Sequence, residues 1–143
     1  MQCIKPTRST MLDRSGSVAI EFAIISPLFI LLVLGVVAYG IYFGAANSVQ
    51  QLAADAARAS IAGVNDTERA AIVHAYVMAN SDDYIFIDSK KIATTVVPAA
   101  ASSQYDVSVR YDSAALPLWN LYLPLPVPQK VITRKSTIRI GGL

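Results

Sequence analysis

Cysteine occurs once in this chain of 143 residues, as Cys3, and histidine once, as His74. A single cysteine excludes an intrachain disulfide and any metal site built from several thiolates. A single histidine leaves little for catalytic arrangements that need a second basic or soft partner. Charge is scarce too: charged residues make up 15% of the chain and hydrophobic ones 54%, a balance that excludes intrinsic disorder. Twelve basic against ten acidic side chains leave a net charge of +2, too weak to point to nucleic acid as a partner.

The missing charge is concentrated in one place. Between Glu21 and Asp55 lie 33 residues without a single charged side chain. Within them, Phe22 to Phe43 is a 22-residue apolar run whose clearly polar groups are Ser26 and two tyrosine hydroxyls. As an α-helix it reaches about 33 Å, enough to cross a hydrocarbon layer of roughly 30 Å. Pro27 is tolerated in such a helix because freed backbone groups find other partners. The run therefore reads as a transmembrane helix. Lys5, Arg8 and Arg14 precede it, and the next basic residue is Arg58, so the amino terminus is expected in the cytoplasm. Tyr39, Tyr42 and Phe43 cluster at the far end, where amphipathic rings favour the headgroup level. A cleaved signal peptide is the competing reading. Against it stand the length of the run, the glutamate at its border and a helical pattern that continues past any cut near Ala46.

From Gly44 to Gly63 the sequence is rich in alanine and free of proline. Ala45, Val49, Leu52, Ala53, Ala56, Ala59 and Ser60 fall at helical spacing and mark a face of mostly small residues, with Asn47, Ser48, Gln50, Gln51, Asp55 and Arg58 mostly opposite. Gly63 and Asn65 supply a stop. One helix from Val18 to Gly63 is expected, half in lipid and half projecting. Gly40, Gly44 and Ser48 place a small residue at every fourth position, the spacing of close helix contacts in membranes, although glycine and alanine are common in such helices anyway.

Glu21 borders the apolar run, with Phe22 just inside. A carboxylate there is costly if drawn into lipid and is a candidate for function, or else a solvated acid at the interface. Upstream lie Arg14 and Gly16, so Gly16 to Phe22 reads as glycine, four small or apolar residues, glutamate, aromatic. On these residues, and on Ser26-Pro27, the segment from Arg14 to Gly63 resembles the amino-terminal region of TadE-like pseudopilins of the tight-adherence (Flp) type IV pilus machinery. The resemblance implies cleavage after Gly16 by a membrane-embedded prepilin peptidase, leaving Ser17 as the new amino terminus and Glu21-Phe22 as the processing and assembly motif. Removing residues 1–16 leaves nine basic against nine acidic side chains. A new α-amino group would then lie within about a turn of Glu21. In an assembly, the amine of one subunit could pair with the carboxylate of a neighbour and offset the cost of both charges in lipid.

Residues 64–143 are expected to form a small α+β domain. Asn65 and Glu68 begin a helix in a capping-box-like way, and its apolar positions continue to about Ala79. Strand candidates follow at Tyr84 to Ile87 and Ile92 to Val97. The clearest is Tyr105 to Tyr111, where apolar and polar residues alternate, and Val131 to Ile140 is rich in β-branched residues. A small antiparallel sheet packed on helix is the economical assembly. Between the last two strands, Leu116 to Pro128 carries four prolines among leucines, Trp119 and Tyr122, which argues against regular structure. A loop so apolar must cover the core, or else dock on a neighbouring subunit or the outer leaflet.

Other candidates for chemistry are weak. His74 has no Cys or acid at ligand spacing, and Asp82, Asp83 and Asp88 lack a calcium-loop spacing. Lys90 and Lys91 read as a solvated turn, and Cys3 would leave with the leader. The expectation is an α+β protein with three parts: leader 1–16, transmembrane and projecting helix 17–63, and outer domain 64–143. It has no enzymatic activity, metal or cofactor. Prepilin peptidase, other pilins, the pilus assembly platform and membrane lipid are its partners, in a bacterial inner membrane with a periplasmic domain or in an extracellular pilus. The alternative is an unprocessed single-pass protein that scaffolds an envelope secretion complex.

Overall fold

A computed structural model describes residues 14–98, 104–121, 126 and 128–139. Helix α1 runs from Arg14 to Ala59, 46 residues and about 69 Å, and passes through Pro27 without ending. It is already helical at Arg14, four residues before the start at Val18 that the sequence pattern suggests. It also ends sooner, because Ser60–Ala62 tighten into a 3₁₀ turn that Gly63 closes through its N–H to the Ser60 carbonyl.

Helix α2, Asp66–Asn80, begins as its sequence implies: the Asn65 side chain accepts the Glu68 N–H at 2.8 Å. The reciprocal bond is shifted by one residue, with Glu68 Oε2 accepting the N–H of Val64, not that of Asn65. The strands are β1, Ile92–Pro98; β2, Gln104–Asp112; and β3, Val131–Arg139. They form one antiparallel sheet in the order β1-β2-β3, so the molecule is α+β: a long apolar helix, one further helix and a three-stranded sheet.

Register fixes the inner face. Tyr105, Val107, Val109 and Tyr111 of β2 are buried, and Tyr111 faces Ile92 on one side and Ile132 on the other. That face lies against the carboxy-terminal half of α1, where Ala45, Ala46, Val49, Leu52, Ala53, Ala56 and Ala57 are buried. From α2, Val73 and Val77 complete the core. The small-residue face of α1 is thus covered by the chain's own sheet.

Two segments differ from the sequence expectation. Tyr84 to Ile87 is no strand. A 3₁₀ turn at Ser81–Asp83 leads into a bend in which the Ile87 N–H donates to the Tyr84 carbonyl at 3.3 Å and Phe86 takes φ 64°. A strand here would need a partner on the sheet edge, but α2 already packs against β1, and Tyr84 instead turns its hydroxyl towards α1. Between β2 and β3, Pro117–Leu121 form a short 3₁₀ helix that the prolines were expected to forbid. Pro117 stands at its first position, where a missing N–H costs nothing. Leu116 and Leu118 are buried beneath it and cap the core; residues 122–125 and 127 lie outside the described set.

Candidate functional site

Helix α1 is divided by what touches it. From Val18 to Val37 its large apolar side chains stand exposed, Phe22, Ile24, Leu28 and Phe29 among them. Gly35 and Ala38 are the first buried residues, and from Ala45 onward one face is closed by the domain. The bare stretch is one helix long and apolar enough to cross a membrane. Its exposure in water is the anomaly that lipid would resolve, since soluble proteins rarely leave so large an apolar surface open.

At the carboxy-terminal end of this stretch aromatic rings gather. Tyr39 and Phe43 have ring centroids 6.2 Å apart, and Tyr42 meets Phe43 edge-on at 6.0 Å. The Tyr39 hydroxyl donates to the Pro126 carbonyl, so the loop before β3 reaches down to this level. A hydrocarbon layer of roughly 30 Å ending here takes in about 20 residues of helix, which brings its inner boundary to within a turn or so of Glu21.

At the amino-terminal end, Gly16, Ser17, Glu21 and Phe22 are all helical and exposed. Ser17 and Glu21 are four residues apart and share a face of α1. Among the described residues Glu21 forms no ion pair. A methyl group added at Gly16 would meet nothing within 4 Å, so the backbone there is open to approach.

The row Gly40, Gly44, Ser48 is split by the fold. A methyl on Gly40 would meet nothing within 4 Å, whereas one on Gly44 would stand 3.0 Å from Cε2 of Phe86. Ser48 is buried beside the same turn. Two of the three positions therefore face the chain's own Asp83–Phe86 segment.

The remaining polar residues stabilise the domain. Tyr84 donates to Asp55 Oδ2 at 2.7 Å, while Arg58 pairs with Oδ1 of the same carboxylate at 2.5 Å. Burial, and then the hydrogen bond to Asp55, push the Tyr84 phenol well above its ordinary value. Asp106 is held below the usual carboxylate range by hydrogen bonds, first from Lys135 at 2.6 Å and then from Thr137 at 2.6 Å. His74 is exposed at the rim of a cavity of about 260 Å³ lined by Val77, Met78, Ile92 and Thr94. Asp82 accepts the N–H and hydroxyl of Ser89, and Asp88 pairs with Lys91 at 3.5 Å, so these acids shape a turn. Among the described residues no three metal-ligating side chains gather; Cys3 lies outside them.

Residues 16–58 match the family model for TadE-like proteins. Over this segment the chain is similar to TadE-like proteins. The match begins at Gly16 and stops one residue before α1 ends, so the TadE-like region coincides with the helix and leaves the outer domain beyond it. No curated protein and no solved structure matches the chain. The match points to involvement in tight-adherence pilus assembly, alongside other proteins of that machinery, and the long apolar helix fits a single-pass membrane protein. What sequence reasoning missed is the Phe86 turn against Gly44. The signal for it was weak: Tyr84 to Ile87 is apolar, but it lacks the alternation that a half-buried strand requires.

Proposed function

We propose that this TadE-like chain is a minor pilin or pseudopilin. It is anchored in a bacterial inner membrane by the bare half of α1, with residues 1–16 cytoplasmic and residues 64–143 periplasmic. A prepilin peptidase cuts it between Gly16 and Ser17, and it then takes part in assembling a tight-adherence pilus or related secretion apparatus. Its role is structural, and its only chemistry is to be the peptidase's substrate. The observation that carries this reading is the coincidence of the TadE-like segment with a helix that is bare and apolar for one membrane thickness.

The local physics supports processing. Gly16 and Ser17 are exposed on α1, and a methyl group at Gly16 would meet nothing within 4 Å, so a protease can approach the backbone there. Cutting there creates an ammonium group on Ser17, one turn from Glu21. In an array of parallel helices, that ammonium can meet the Glu21 of a neighbour and relieve two charges that would each be expensive near lipid.

Mass measurement of the protein recovered from membranes of cells that hold the peptidase tests the reading. Loss of residues 1–16 is expected, Gly16→Ala should retain them, and Glu21→Ala should be cut yet assemble poorly. An intact amino terminus would instead select the second reading, an unprocessed single-pass scaffold, which the helical state of Gly16 and Ser17 favours. Normal pilus assembly by Glu21→Ala would remove the role assigned to that carboxylate.

A further inference from the structure

Between α2 and β1 the chain makes a turn that the core does not explain. Tyr84 is tethered to α1 by its hydroxyl on Asp55, and Ile87 is half-buried against the core. Between these two anchors Ile85 and Phe86 point outward, 70% and 43% exposed. Phe86 holds φ 64°, a conformation that bulky residues rarely adopt. Strain of this kind persists only where surrounding contacts enforce it, and here it holds the Phe86 ring against Gly44 while Ile85 stays in the open.

The height of this turn along α1 is fixed by contact. The Phe86 ring lies against Gly44, the residue after Phe43, where the apolar run ends. Phe43 is itself exposed and touches Tyr39 and Tyr42. Phe86 therefore stands level with the aromatic cluster, beside the point at which α1 leaves its bare stretch, and Ile85 precedes it in the same turn.

We propose that Ile85 and Phe86 form a second membrane contact, a fingertip seated in the headgroup–acyl boundary of the outer leaflet next to the emerging helix. The proposal rests on the single-pass reading of α1. Continuity identifies the bilayer as the occupant, because the fingertip extends an apolar surface that already ends at its base. Charge sets its depth. Asp82, Asp83 and Asp88 flank the turn, Asp82 accepting from Ser89 and Asp88 accepting from Lys90 while pairing with Lys91, and burying these acids in lipid is costly, so the contact is confined to the two apolar residues between them. No basic residue lies within Tyr84 to Ile87, so zwitterionic lipid suffices. A single helix lets the domain swivel about the membrane normal; a second contact to one side of it fixes which face of the domain looks along the membrane.

Site-directed spin labelling of the full chain in phosphatidylcholine vesicles tests this. In a Cys3→Ser background, nitroxides are placed singly through Ile85→Cys, Val33→Cys on the bare helix, and Val64→Cys at the far end of the domain, where the side chain is 84% exposed. Trp119 emission identifies folded variants. The expected result is that the Ile85 label, like the Val33 label, collides preferentially with oxygen and is several-fold less accessible to a water-soluble nickel chelate than the Val64 label. Nickel access at Ile85 equal to that at Val64, with Val33 protected, overturns the fingertip and leaves the anchor standing. Nickel access at Val33 overturns both. Dipolar broadening at Ile85 that vanishes on dilution with unlabelled chain assigns the turn to a second copy and also overturns the lipid contact.

Discussion

Substituting Gly63 by alanine probes the junction of the two helices. Gly63 is buried between the end of α1 and the start of α2, and its φ of −75° is open to any residue, so the constraint there is space and not conformation. A Cβ at this position would stand 2.7 Å from Arg69 Cγ, 2.9 Å from the Arg69 backbone nitrogen and 3.1 Å from its Cα. The side-chain atom could swing away. The two backbone atoms belong to α2, which is held by the Asn65 cap and by the Arg69 N–H donating to the Asn65 carbonyl at 2.9 Å. The helix must therefore shift as a body, drawing Val73 and Val77 from the core and the Arg69 guanidinium from its place 6.0 Å from the Tyr105 ring centre. Forced overpacking of this kind costs about 1–3 kcal/mol. For a cooperative unit of this size that lowers the melting temperature by about 5–20 °C. Trp119, the only tryptophan, reports the transition in the full chain in detergent, because its indole N–H donates to the Ser113 carbonyl at 2.6 Å within the folded domain. Gly40→Ala is the control: its methyl meets nothing, and alanine favours the helix interior by about 1 kcal/mol, so its melting temperature should hold or rise. A Gly63→Ala protein melting within about 2 °C of the unsubstituted chain would refute the close approach of α2 to α1.

Leu52→Ala removes the largest aliphatic side chain buried on α1 and should cost about 2–5 kcal/mol, read by the same Trp119 melt, whereas Leu28→Ala on the bare stretch should leave the domain's transition in place. Asn65→Ala deprives the Glu68 N–H of its acceptor and should cost about 1 kcal/mol in a denaturant titration. Tyr84 supplies a pH signature. Its folded-state pKa is raised above the ordinary value near 10, so its contribution is intact below about pH 10 and is lost as pH rises towards the folded value. The unsubstituted chain should therefore lose melting temperature above about pH 10 more steeply than Tyr84→Phe; equal slopes would show that the phenol is not coupled to folding.

Legibility in the sequence followed the length of the pattern. The charge-free run and the alanine face each persist over many turns, and α1 followed them with a small displacement at each end. The Asn65 cap and the alternation in β2 are local codes with a physical mechanism, and both formed. Tyr84 to Ile87 failed because four consecutive apolar residues carry no period, and their conformation is decided by distant partners, Asp55 for Tyr84 and Gly44 for Phe86. At Leu116 to Pro128, proline count was a poor guide because Pro117 initiates a turn instead of interrupting one. The motif Gly16 to Phe22 was visible as spacing, whereas the exposure of α1 around it depends on where the domain packs, which no local pattern encodes.

Covering of the alanine face changes what the projecting half of α1 can do in an assembly. Small side chains permit close approach, and the expected partner for such a face was another helix. Here the approaching surface is β2 and β3, with Val107, Val109 and Ile132 lying over Ala45 to Ala57. Residues already at zero exposure have no surface left for a neighbouring subunit, and freeing them would mean unpacking the domain's only core. On the proposed function, contacts between subunits then divide by environment. In lipid they can use the bare helix from Val18 to Val37, where helices meet through packing and without a hydrophobic drive. Outside it they must use the domain's exterior, where Thr133, Lys135, Thr137 and Arg139 of β3 face solvent. Gly40, open on one side and lying between the two regions, is the single member of its small-residue row still available to a neighbouring helix. A bulky substitution there should obstruct assembly without disturbing the fold, while the same change at Gly44 must first displace Phe86.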